Sequence, residues 1–226
     1  MTDLAQRNPR NPLIKPEDLR SYHSSMDIEC VLNPGVFQFN GMTWLVLRVA
    51  ERPFQEEGKI TIPLMKNDKV EFISFDLKDP LLNTDDPREP KYDGETYLST
   101  ISHLRILCSK DGISFKDAGL PDLRGKGPLE SYGIEDCRVS KMQDDTYLLT
   151  YTATSPNGYG VGLRRTSNWK SFDELSLDEL KKVEKKLTSE VLKVFNLKNS
   201  VNSKKSYGGT SFDNIKKMIM KYKKQK

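Results

Sequence analysis

At 226 residues, 36% of them hydrophobic, the chain can bury the core of one sizeable globular domain, or of one domain with an appendage. Its longest apolar stretches, such as Trp44 to Leu47, are strand-length, and residues 1 to 20 carry Asp3, Arg7 and three prolines; this excludes a membrane-spanning helix and a secretory leader and points to the cytoplasm. The net charge of +4 joins two unlike parts: residues 1–172 hold 22 Lys+Arg against 25 Asp+Glu, or −3, and residues 173–226 hold 14 lysines against 7 acids, or +7.

All twelve prolines, both tryptophans and every arginine precede Phe172, so two domains are predicted, 1–172 and 173–226. Cys30, Cys108 and Cys137 are an odd number without CxxC spacing, which argues against a disulfide framework and a zinc knot. With His23 and His103 the sole histidines, no histidine metal cluster can be assembled, and no metal or cofactor is expected.

Along the first domain a turn signal leads into an aromatic-rich segment in steps of about fifty residues. Asn40-Gly41 precedes Trp44-Leu45, Asp93-Gly94 precedes Tyr97-Leu98, and Asp144-Asp145 precedes Tyr147-Leu148. Asn-Gly and Asp-Gly supply the positive φ angles of a tight hairpin turn, and the flanking β-branched, aromatic and aliphatic residues favour strands. Further strands are predicted over Leu104 to Cys108, Ile113 to Phe115, Val161 to Arg165 and Trp169 to Phe172. Four strands per repeat is the pattern of a propeller blade, and residues 30–172 supply about three, an incomplete ring with an exposed blade face.

From Ser176 the period changes. Ser176 with Glu179 forms a capping box, and Leu177, Leu180, Val183 and Leu187 recur at helical spacing, followed by Val191, Leu192 and Phe195. A loop over 199–210 leads to a last helix with Ile215, Met218, Ile219 and Tyr222 on one face. Its lysines are spread around the helices with few aromatics between them, the pattern of a solvated face and not of a nucleic-acid surface. The fold class is therefore mainly β, a partial propeller followed by an α-helical tail.

The segment richest in chemistry is Gly133 to Val139, where Glu135, Asp136 and Arg138 stand together as a strand begins. Glycosidic cleavage needs an acid to protonate the departing oxygen, and a nearby arginine can hold hydroxyls or tune that acid. The same residues also fit a polar turn with a surface ion pair. Asn33-Pro34 occupies the equivalent place in the first repeat, so Asn33 and Asp136 are expected to face one ligand, with Arg48 a further polar candidate. Taken singly, Asn33 also fits a turn residue before proline, and Arg48 a solvated strand end.

Asn33-Pro34-Gly35-Val36-Phe37 through Leu47-Arg48-Val49, Ser102-His103-Leu104-Arg105 with Ser109-Lys110-Asp111-Gly112, and Gly133-Ile134-Glu135-Asp136-Cys137-Arg138-Val139 followed by Tyr151-Thr152-Ala153 and Asn157-Gly158 appear in that order. Over residues 8–172 this order resembles glycoside hydrolase family 130. The resemblance implies a five-bladed propeller acting on β-mannoside oligosaccharides, usually by inverting phosphorolysis, with inorganic phosphate a candidate co-substrate. It makes Asp136 the proton donor, Asn33 and Arg48 sugar-site residues, and Glu135 and Arg138 the donor's flanks. Cys137 stands where the family usually has proline. The family's phosphate-binding groups lie largely in later blades, so the chain is expected to be truncated, with phosphorolysis and hydrolysis both open and a homo-oligomer among the expected states. Two tail segments, Ser171 to Leu180 and Asn199 to Thr210, resemble the C-terminal end of argininosuccinate lyase, without that enzyme's catalytic serine loop.

Overall fold

The computed structural model describes residues 8–174; the helices read from Ser176 onward lie outside them. The described chain is mainly β, its only helical turns being two short 3-10 segments, Pro16–Asp18 and Pro128–Glu130. The strands are β1 Met26–Phe39, β2 Met42–Pro53, β3 Lys59–Lys66, β4 Lys69–Asp76, β5 Leu82–Asn83, β6 Lys91–Tyr92, β7 Glu95–Thr96, β8 Ile101–Ser109, β9 Lys116–Asp117, β10 Gly133–Lys141, β11 Tyr147–Ser155, β12 Gly158–Thr166 and β13 Asp173–Glu174.

Two antiparallel runs of four strands organise these elements, β1-β2-β8-β9 and β10-β11-β12-β13. They are joined by a single parallel pairing, Gly133 of β10 with Ser102 of β8. The first hairpin turns at Asn40 and Gly41, whose φ angles of 49° and 69° are the positive pair that a two-residue turn between right-twisted strands requires. Strand β8 is buried along its whole length because it lies inside its run with packing on both faces. On one side Leu104 and Ile106 join Trp44, Val46, Leu149 and Trp169 in the main core; on the other Leu107 packs with Leu45, Leu47 and Val49.

Three sequence expectations change here. Asp93-Gly94 does turn, but between strands of two residues each, and Tyr97-Leu98 lies outside any strand. The reason is that residues 77–100 form a connection between β4 and β8 held by its own short ladder. Ile113 to Phe115 is not a strand, since Asp111 Oδ1 accepts from the backbone N–H groups of Ile113 and Ser114 and so keeps them in the turn. Trp169 to Phe172 is not one either: Trp169 sits at φ 62°, 1% exposed, with its ring stacked 4.3 Å from that of Phe37. The β3–β4 hairpin was not anticipated, although Asn67-Asp68, with φ angles of 50° and 60°, turns between two alternating segments. Pro63 within β3 is the residue that argues against a strand there, and it is tolerated because β3 pairs with β4 alone.

Candidate active site

Both strands that open a four-stranded run carry a bulge at the same place. In β1 the register with β2 shifts between Leu32 and Gly35, and in β10 the register with β11 shifts between Glu135 and Arg138. The displaced residues include Asn33 at φ 40° and Asp136 at φ 52°. Asn and Asp are the non-glycine residues that best tolerate this left-handed region, and a bulge re-aims the side chain that it carries.

The two bulges face one another, and two glycines let them. A Cβ on Gly35 would lie 2.5 Å from the carbonyl oxygen of Cys137, and one on Gly133 would lie 2.3 Å from that of Ser102. Only without those atoms can β10 approach β1 and β8 so closely. The approach brings Asn33 Nδ2 to 3.1 Å from Asp136 Oδ1. Arg48, projecting from β2, donates to the same Oδ1 at 3.2 Å through Nη1 and to Glu135 Oε1 at 2.7 Å through Nη2.

Ser102 closes the network. Its Oγ accepts from Arg48 Nε at 3.1 Å and donates to Glu135 Oε1 at 3.1 Å. Arg138 turns away from the carboxylates: its Nη1 donates to the backbone carbonyls of Cys137 at 2.8 Å and Asn33 at 3.4 Å, tying one bulge to the other. The Arg48 and Glu135 side chains are 18% and 15% exposed, so their pair is no surface ion pair, whereas Asp136 at 36% retains access to solvent. Burial pushes the Glu135 carboxyl above the usual range, against the opposing pull of the Arg48 guanidinium.

Cys137 is fully buried in the main core, and burial pushes its thiol up to about 12. It is therefore an apolar anchor for the bulge, in place of the conformational restraint a proline would supply. Glu135 and Arg48 line a cleft of about 590 Å³, within the range of small-molecule sites. Asn33, Asp136 and Arg138 do not line it. The cleft also involves Glu89 and Tyr159, which sequence reasoning missed along with Ser102. An Asn-Gly turn before Tyr159 was visible, but a long connection such as residues 77–100 carries no local sign of where it folds back. Among the described residues no group of His, Cys, Asp and Glu could hold a metal ion.

Comparison with known proteins gives this arrangement a class. The sequence profile of glycoside hydrolase family 130, described as beta-1,4-mannooligosaccharide phosphorylase, matches residues 91–223. The beta-1,2-mannobiose phosphorylase of Listeria innocua is 34% identical over 174 residues, which is 74% of this chain and 49% of that protein. Its solved structure, titled as a beta-1,2-mannobiose complex, superposes with a TM-score of 0.69 at 32% identity, covering 74% of this chain and 49% of that one. A different segment of 55 residues, 24% of the chain, is 80% identical to the argininosuccinate lyase of Pelagibacter ubique and covers 12% of it.

Fold and similarity together define a mainly β protein of a glycoside hydrolase family. The chain belongs to glycoside hydrolase family 130. It spans about half the length of the Listeria mannobiose phosphorylase, 49% of that protein.

Proposed function

We propose that the bulge cluster is the sugar-binding and acid half of a β-mannoside phosphorylase site. The observation that carries this reading is the convergence of Asn33 and Arg48 on one oxygen of Asp136. With Oδ1 taken up by two donors, Oδ2 is the atom to carry a proton, and no described side chain bonds it. In the reaction, an oxygen of inorganic phosphate forms the new bond to the anomeric carbon from the opposite face. The glycosidic C–O bond breaks, and the Asp136 proton moves to the departing sugar oxygen. Water in place of phosphate makes the same site a hydrolase.

Arg48 and Glu135 hold hydroxyls of the mannosyl ring, Asn33 and Arg48 orient the acid, and Arg138 fixes the bulges. The two four-stranded runs act in this reading as blades of a five-bladed propeller, with the acid towards the hub. The predicted boundary at 173 moves past β13, whose Asp173 and Glu174 pair with β12; the lyase-like residues beyond it are read as a second domain, and three free cysteines fit a reducing, cytoplasmic setting.

The test is isothermal titration with β-1,2- and β-1,4-mannobiose, paired with an assay for mannose 1-phosphate. Asp136→Asn is expected to keep affinity within about threefold, a cost under ~1 kcal/mol, while removing phosphate-dependent release of mannose. Release undiminished by that substitution would count against Asp136 as the donor. A second reading is a site completed by another copy of the chain; the 61% exposure of Val36 and 79% exposure of Val161 favour it.

A further inference from the structure

A second hollow, of about 400 Å³, lies where the loop over residues 121–126 meets the end of β3, β12 and residues 170–172. It shares no lining residue with the cleft beside the bulge cluster. Arg124, Lys126, Arg164 and Lys170 line it with two acids, Asp68 and Asp122. Arg164 and Asp122 are already paired, the first with Glu130 at 2.7 Å and the second with Arg105 at 3.3 Å. Among the described residues Arg124, Lys126 and Lys170 have no carboxylate partner, and Asp68 is the lining's one unpaired acid.

Arg124 is fixed in place before any ligand arrives. Its Nη1 donates to the Tyr22 hydroxyl at 2.6 Å, and its guanidinium lies 3.6 Å over the Tyr22 ring. The backbone is pinned as well: Leu123 exchanges hydrogen bonds of 2.8 and 2.9 Å with Leu104, and the Arg124 carbonyl accepts from Arg164 Nη2 at 2.7 Å. Yet Nε of Arg124 and Nε of Arg164 are buried without an acceptor. A buried donor without a partner is costly, and an oxyanion in the hollow brings acceptor oxygens to guanidinium groups that lack them.

The lining also selects among anions. A guanidinium held in one plane suits the oxygens of a phosphate, and lysines add charge from flexible stems without a demand on geometry. Three unpaired cations suit a doubly charged ligand better than a single carboxylate. Met65, Pro121, Leu123 and Phe172 add an apolar wall beside them.

We infer that this hollow binds a phosphate group, either as the free ion or carried on a small molecule as a monoester. Arg124 donates to the phosphate oxygens, Lys126 and Lys170 neutralise the remaining charge, and the apolar wall meets the organic part of a monoester. None of these residues belongs to the proposed sugar site, so the inference stands independently of the mannoside reading.

Isothermal titration of the full chain with inorganic phosphate and with phenyl phosphate, at fixed ionic strength, tests it. Arg124→Gln is expected to weaken both ligands about tenfold. Lys126 and Lys170 are exposed, so the double variant Lys126→Ala/Lys170→Ala is expected to melt with the wild type while also losing about tenfold, which keeps the test sound if loss of Arg124 perturbs the fold. Tighter binding of phenyl phosphate would assign the site to a monoester, and equal binding of the two would assign it to the free ion. Wild-type affinity weaker than about 10 mM for both ligands would overturn the site. Affinity untouched by the lysine substitutions would overturn it too, since a phosphate held in this hollow must sense both charges.

Discussion

Arg48 is the residue on which the candidate site balances, because it is the cation facing both carboxylates. Removing it leaves Glu135 largely buried with Ser102 as its remaining donor. Arg48→Ala is therefore expected to cost about 3 kcal/mol of stability, the usual scale for breaking a buried pair from one side. It should also push the Glu135 carboxyl further up than burial already has, which carbon-detected NMR titration of the Glu135 side chain would register. An unchanged titration would mean that the pair is solvated in solution.

His103 is a second test at this scale. It is 4% exposed, with Nε2 3.7 Å from Glu51 Oε1 and 3.9 Å from Asp122 Oδ2. Burial lowers its pKa below the ordinary 6.5, while the two carboxylates pull the other way. A histidine depressed in the folded state binds its proton more readily unfolded. Its contribution to stability is thus complete above pH 6.5 and is lost as pH falls from there through the folded value. Urea midpoints measured across that range should fall with pH, and His103→Gln should flatten the slope; an identical slope in the variant would assign it to other groups.

Among the elements, β1 and β10 decide where the acid points. The equivalence of Asn33-Pro34 and Asp136-Cys137 is legible in the sequence from their places ahead of Val36 and Val139 and of the turns that follow, and the structure has a bulge at each. What it adds is that the bulges touch, through the space left by Gly35. In Gly35→Ala the new methyl would meet backbone, which cannot swing aside as a side chain can. The expected cost is about 1–3 kcal/mol, with mannobiose affinity lost alongside. A variant that melts and binds as the wild type does would show that the strands can part without harm. The hairpins divide in the same physical way. Asn40-Gly41 is readable because both turn residues and both alternating flanks lie within a few positions, whereas the Asp93-Gly94 turn has identical local chemistry and is surrounded by a connection too short of apolar alternation to extend it.

At the scale of the whole molecule, Val36 of β1 and Val161 of β12 are aliphatic side chains that the described packing leaves to solvent. If another copy covers them, light scattering behind size exclusion should give twice the 25.9 kDa of the chain, and Val161→Asp should shift the mass towards the monomer. A monomer at all concentrations would end the reading of a site completed by a second copy.

The sequence by itself determined the Asn40-Gly41 and Asp144-Asp145 turns and the strands that flank them, because positive-φ residues and period-two alternation act over two to ten positions, while the ordered motifs carried the family. The cluster itself was decided only by tertiary structure. Asn33 and Asp136 stand 103 residues apart and Arg48 and Glu135 stand 87 apart, and no local preference can set such distances. They are set by how closely two strands can approach where glycine removes the intervening carbon, by the single parallel pairing of Gly133 with Ser102, and by the burial that makes an unpaired Arg48 or Glu135 too costly to leave alone.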